Sequence, residues 1–202
     1  LGGTKCDDSL RVAKNLIDKE IIDTIPVVGV VGNMMLWARG IDIGEGNKSF
    51  IRNTLGNAFE ETWDMAVYLY ENHSEFFLLP IDVAVEVNGD RVAMSVEDLP
   101  TKNPIYDIGI GTLMQIRPLM INAGCILWNG PASYFELPGF ALDSTKHVPD
   151  GTNSRQNKCL SPILGGTNLY KALIDRETIN FRYVVDTYGN GIEANCKAIY
   201  TN

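Results

Sequence analysis

The chain is poor in the residues that build metal centres and disulfide frameworks. It has four cysteines, Cys6, Cys125, Cys159 and Cys196, none in a C-x-x-C pair, and only two histidines. That spacing offers no zinc ligand set, so no protein metal centre is expected. Positive charge is also scarce: 17 Lys and Arg stand against 25 Asp and Glu, a formal net charge of -8. Such a field repels a nucleic-acid backbone, and no basic patch with interleaved aromatics offsets it, so no nucleic-acid partner is expected. No apolar run reaches the length of a membrane span, and the start does not read as a signal peptide. No membrane partner is expected. Cys125 sits in an apolar run and reads as a buried thiol, so a reduced, cytoplasmic setting is the expectation. The sequons at Asn47 and Asn72 would matter only in a secreted protein. Walker A and G-x-G-x-x-G motifs are both missing, so any phosphate site is of another design. An acidic chain can still hold a phosphorylated ligand through backbone N–H groups and one or two lysines.

What is present is alternation. Apolar segments recur at Leu1–Gly3, Ile25–Val30, Phe77–Val85, Cys125–Trp128, Ser161–Leu164 and Tyr183–Asp186. Helical patterns lie between most of them. Asp7 or Asp8 can cap a helix with Leu10, Ala13, Leu16, Ile17 and Ile21 on one face. Met34 to Arg39 reads as a short helix closed by Gly40, and Ile51, Leu55, Phe59, Trp63, Ala66 and Tyr70 keep a stripe over five turns. Strand alternating with helix predicts an α/β fold, a mostly parallel sheet of about six strands with helices on both faces. Val83–Val87 and Arg91–Val96 around Asn88-Gly89 read as a hairpin, because Asn-Gly favours the type I′ turn. Pro118 should kink or restart the helix over 113–121. Residues 148–158 read as an exposed loop, and residues 1–202 as a single domain.

In open parallel sheets, ligands bind beyond the carboxyl ends of the strands. Glycine clusters at those ends: Gly2-Gly3, Gly29, Gly109 before a helix, Asn129-Gly130-Pro131, Gly165-Gly166 and Gly189-Asn190-Gly191. A glycine after a strand is most often a tight turn. Several along one edge predict a ligand approached closely by backbone N–H groups.

Five stretches in order carry a resemblance: "LGGTKCDDSLRVAKNLID" (1–18), "GVVGNMMLWARGIDIGEGN" (29–47), "LLPIDVAVEVNGDRV" (78–92), "DIGIGT" (107–112) and "WNGPASYFELPGFALDSTK" (128–146). The chain resembles the C-terminal, nucleotide-binding half of phosphoglycerate kinase, most closely its archaeal branch. The resemblance implies a Rossmann-like three-layer αβα domain that binds ATP or ADP with Mg²⁺ carried on the nucleotide. It implies catalytic roles for Lys5, Gly189 and Gly191. It implies nucleotide contacts from Gly29, Gly109, Asn129, Pro131, Glu136, Gly165, Gly166, Thr167 and Asn168. Within these, Lys5 neutralises the moving phosphoryl group, Asn129 lies near the phosphates, Pro131 packs at base or sugar, and Glu136 accepts from the ribose hydroxyls. The plain alternatives are a solvated lysine and a simple turn. The chain departs from the family pattern at Val28, where a second glycine is usual, and at Thr167-Asn168, where an acidic metal ligand is expected. The half that holds 3-phosphoglycerate is expected to come from elsewhere in a longer chain or from a separate one. Two readings follow: an enzyme half, or a kinase-like domain that has lost catalysis and serves as a structural subunit.

Overall fold

The computed structural model describes residues 1–123, 126–134, 136–137, 139–140, 184–186 and 197–199. The first helix, α1 (Cys6–Asp18), turns Leu10, Ala13 and Ile17 inward, as the apolar spacing predicts, together with Cys6; Leu16 is half-buried, and Ile21 falls beyond the helix end and is exposed. Its cap differs from the expectation. Lys5 occupies the N-cap without a side-chain bond, and Asp7 and Asp8 lie inside the first turn. There their charge meets the positive end of the helix dipole.

The apolar run at 25–30 divides. Only Ile25–Pro26 is strand (β1), and Gly29 already opens α2 (Gly29–Ala38). α2 is apolar nearly all round and buries Val31, Met34, Met35 and Leu36, which makes it the central helix of the core. Gly40, at φ +96°, closes the turn that follows it. The expected five-turn stripe is interrupted. α3 (Glu45–Leu55) ends where Gly56 takes φ +53°, a single 3₁₀ turn intervenes, and α4 (Phe59–His73) begins. The apolar spacing survives the break because Ile51, Ala66 and Leu69 are all buried.

β2 (Phe77–Leu78) pairs with β1 in parallel, Ile25 opposite Phe77. β3 (Asp82–Val87) and β4 (Asp90–Ser95) form the expected hairpin, with Val87 opposite Asp90. Asn88 at φ 54° and Gly89 at φ 91° are both left-handed, as a type I′ turn requires. β5 (Ile105–Ile108) runs antiparallel to β3 on its other side. α5 (Ile110–Asn122) follows and continues through Pro118 as one helix. β6 (Ile126–Trp128) pairs in parallel with β7 (Val184–Asp186), and β8 (Lys197–Ile199) pairs antiparallel with β7.

The fold is mixed α/β with parallel and antiparallel strands. In place of about six mostly parallel strands, the described residues hold eight short ones in three sheets. Backbone bonds outside the ladders link two of them. Val27 donates to Leu78, Val28 donates to Leu1, and Gly2 donates to Asn129. Leu1–Gly3 is therefore stitched between the end of β1 and the loop that leaves β6, although it is not itself a strand.

Candidate functional site

Three chain ends meet at this seam. The Gly2 N–H donates to the Asn129 carbonyl at 2.7 Å, and the Gly3 N–H to the Pro131 carbonyl at 2.7 Å. Glycine is required because the backbones touch. A Cβ on Gly2 would lie 2.5 Å from the Pro131 carbonyl oxygen. One on Gly29 would lie 2.9 Å from the same oxygen and 3.1 Å from the Gly3 nitrogen. Gly29 at φ +58° and Gly130 at φ +72° also sit in left-handed conformations. The sequence suggests glycines that clear space for a ligand. At Gly2 and Gly29 that space is filled by neighbouring backbone.

The seam opens on a cleft of about 960 Å³. Lys5, Gly29, Asn129, Pro131 and Glu136 all line it. They come from the start of α1, the start of α2 and the loop after β6. Lys5 and Glu136 are exposed. Asn129 is held from behind, its side-chain oxygen accepting from the Oγ of fully buried Ser9 on α1 at 3.0 Å. The start of α2 faces the cleft through Gly29 and Val30 and has no acidic residue in its first turn. Its positive end is thus not neutralised by its own helix.

Gly109 lies elsewhere. It is not among the described residues that line the cleft. A Cβ there would strike the Asp82 carboxylate. That carboxylate occupies the start of α5: Asp82 Oδ2 accepts from the Gly111 N–H at 2.7 Å, and Oδ1 from the Thr112 N–H at 2.7 Å and the Thr112 hydroxyl at 2.6 Å. An internal anion already satisfies the amides that a phosphate would seek. Asp107, the first residue of DIGIGT, lies within β5 and is buried. Burial pushes its pKa up to about 7, partly opposed by Arg91, whose Nη2 stands 3.4 Å from its Oδ2.

The phosphoglycerate kinase family model matches residues 1–192. The chain belongs to that family. It is 34% identical over 140 residues to a phosphoglycerate kinase of Methanopyrus kandleri, covering 69% of this chain and 34% of the relative. It is 32% identical over 174 residues to that of Natronomonas pharaonis, covering 86% and 42%. Among solved structures, phosphoglycerate kinase from Pyrococcus horikoshii OT3 superposes with a TM-score of 0.68 at 26% identity, over 86% of this chain and 38% of that one. The chain thus spans well under half the length of these phosphoglycerate kinases.

Gly165, Gly166, Thr167, Asn168, Gly189 and Gly191 lie outside the described residues. Other residues of the cleft wall escaped the sequence reading. Asn33 and Asn47 line the cleft and fasten its β5 wall. The Asn33 amide donates to the Ile105 carbonyl at 3.3 Å, and Asn47 Oδ1 accepts from the Ile105 N–H at 2.9 Å. Asp8, Lys102, Tyr106 and Tyr134 line it too. Tyr106 adjoins the DIGIGT stretch, and Tyr134 lies inside WNGPASYFE. Family motifs drew attention to their glycines and acids rather than to the aromatic residues beside them.

Proposed function

We propose that the chain is the C-terminal, nucleotide-binding half of a phosphoglycerate kinase, a Rossmann-like αβα unit. Joined to a half that holds phosphoglycerate, it transfers a phosphoryl group between 1,3-bisphosphoglycerate and ADP in the cytoplasm. The observation that carries this reading is one cleft lined by Lys5, Asn129, Pro131 and Glu136, from segments more than a hundred residues apart. Lys5 faces the phosphates and balances charge on the group in flight. Pro131 packs at the base or sugar, and Glu136 accepts from the vicinal ribose hydroxyls, for which a carboxylate offers two oxygens. The seam between Leu1–Gly3 and the neighbouring segments favours a continuous parallel sheet whose carboxyl ends border the cleft. Asp82 is bound to α5, and the described residues hold no group of three metal-ligating side chains. In this reading Mg²⁺ is carried on the nucleotide's own phosphates; among the described residues Asp8 and Glu136 are the carboxylates of the cleft lining.

Titration calorimetry of ADP against the parent chain and Glu136→Ala tests this. Loss of a charge-assisted hydrogen bond costs about 1.5–3 kcal/mol, roughly ten- to a hundredfold in Kd. A parent that binds no adenine nucleotide at millimolar concentration rules the site out and favours the structural-subunit reading. Equal affinities refute the ribose role of Glu136.

A further inference from the structure

Every buried residue of α1 is apolar except one. Cys6, Leu10, Ala13 and Ile17 pack into the core, and Ser9, equally buried, stands among them. A hydroxyl without a partner there costs about 1–3 kcal/mol, and alanine is the better helix former. Ser9 keeps its hydroxyl bonded to another part of the chain. Its Oγ donates to Asn129 Oδ1 at 3.0 Å, 120 positions away. The main chain of Asn129 is fixed as well, its carbonyl accepting from the Gly2 N–H at 2.7 Å. Both oxygens of Asn129 thus already accept from the protein. Its remaining polar atom, Nδ2, is a donor only. Asn129 lines the cleft, and so does Lys5, whose carbonyl accepts from the Ser9 N–H at 3.1 Å. A cation and an amide donor at one end of a cleft suit an anion.

We infer that Ser9 is a positioning residue: its hydroxyl holds the Asn129 amide so that Nδ2, and not Oδ1, is directed to the phosphate chain of the nucleotide. This role rests on the nucleotide reading and deepens it. The two ends of an amide are nearly equal in size and opposite in hydrogen-bonding sense. Turned one way, Asn129 donates to phosphate; turned the other way, it sets an acceptor oxygen against an anion. A fixed donor at Oδ1 selects the first. It does so before the ligand arrives, so less side-chain freedom is lost on binding. Ser9 itself is 0% exposed and meets no ligand, so its effect passes through Asn129.

The experiment is calorimetry of ADP and of adenosine against the parent, Ser9→Ala, Asn129→Asp, Asn129→Ala and the variant carrying both alanines, with a thermal melt of each. Adenosine has the base and the ribose but no phosphate, so the ratio of the two affinities reads the phosphate end. Ser9→Ala should weaken ADP about fivefold and leave adenosine within about twofold, the size of one net hydrogen bond. Asn129→Asp keeps an acceptor for Ser9 and puts a charged oxygen in the place of Nδ2. It should weaken ADP about a hundredfold and adenosine hardly at all. In the Asn129→Ala background, Ser9→Ala should change the ADP affinity no further, since the group it positions is gone. A serine that only supports the core would weaken both ligands alike in either background, and that result overturns the proposal. So does an Asn129→Asp protein that binds ADP as the parent does, which decides the matter even where Ser9→Ala fails to fold. In both cases the nucleotide site itself stands. If the parent binds neither ligand, the functional reading falls and takes this one with it.

Discussion

At Gly29 the junction between strand and helix is held by backbone, and at Gly109 it is held by carboxylates. In sequence the two look alike, Val28-Gly29-Val30 and Ile108-Gly109-Ile110, each a glycine between an apolar segment and a helix. Gly29 takes a left-handed φ and presses against Pro131 and Gly3. Gly109 has an ordinary φ of −83° and makes room for the Asp82 side chain. The first arrangement leaves the helix start facing the cleft. The second fills the helix start from within. A glycine at a strand end thus reports that something comes close, and only the neighbouring segments determine what.

The difference predicts unequal sensitivity to pH, and this is the largest expected effect. Beside the Gly109 junction, burial raises the pKa of Asp107 from the 3.8 of a free carboxyl to about 7. The folded chain then binds a proton that the unfolded chain has released, so this group's contribution is full below pH 4 and is lost as pH rises to 7. A rise from 3.8 to about 7 corresponds to roughly 4 kcal/mol. Asp107→Asn cannot titrate there. Its stability relative to the parent should rise by an amount of that order between pH 4 and pH 7 in urea melts. Parallel profiles for the two proteins would show that Asp107 keeps its ordinary pKa. Gly29 variants leave Asp107 untouched, and their stability should keep the parent's dependence on pH between 4 and 7.

Next in size is Gly29→Ala. The new methyl meets the Pro131 carbonyl oxygen at 2.9 Å, and the residue must hold φ +58°. Left-handed strain costs about 1–2 kcal/mol and overpacking about 1–3 kcal/mol, so a loss of about 3 kcal/mol is expected by chemical denaturation. Truncating a nearby side chain should not restore it, because the obstacle is main chain. A loss below about 1 kcal/mol would mean that the three ends are not in contact.

These junctions also explain how far the sequence could be read. The Asn88-Gly89 hairpin was legible because its turn chemistry is local. The inward face of α1 was legible because its period is local too. The break between α3 and α4 was hidden because the apolar spacing continues across Gly56. Chain order did bring Lys5, Pro131 and Glu136 to one cleft lining, as their motifs suggested. The site was not legible at Gly109, where Asp82, 27 positions earlier in the chain, takes the helix start. It was not legible at Tyr106 and Tyr134, which become a pair only when β5 and the loop after β6 lie side by side.

The smallest effect is the most discriminating, because it separates the two kinds of junction by coupling. Asp82→Ala removes the acceptor of two backbone N–H groups and one hydroxyl at the start of α5, and about 2–3 kcal/mol should be lost. Gly109→Ala places its Cβ on the Asp82 carboxylate, so in the parent it displaces that carboxylate and forfeits much of the same energy. In an Asp82→Ala background the carboxylate is already gone and the backbone at φ −83° accepts alanine. There Gly109→Ala should be nearly neutral. The double-mutant cycle should therefore give a coupling of about 1–2 kcal/mol between positions 82 and 109. The corresponding cycle of Gly29→Ala with Asp82→Ala should give none, since no group is shared. Additivity at 82 and 109 would show that the Asp82 side chain does not lie against Gly109. The start of α5 would then be open to an external anion, and Gly109 would return to the list of residues that a nucleotide could approach.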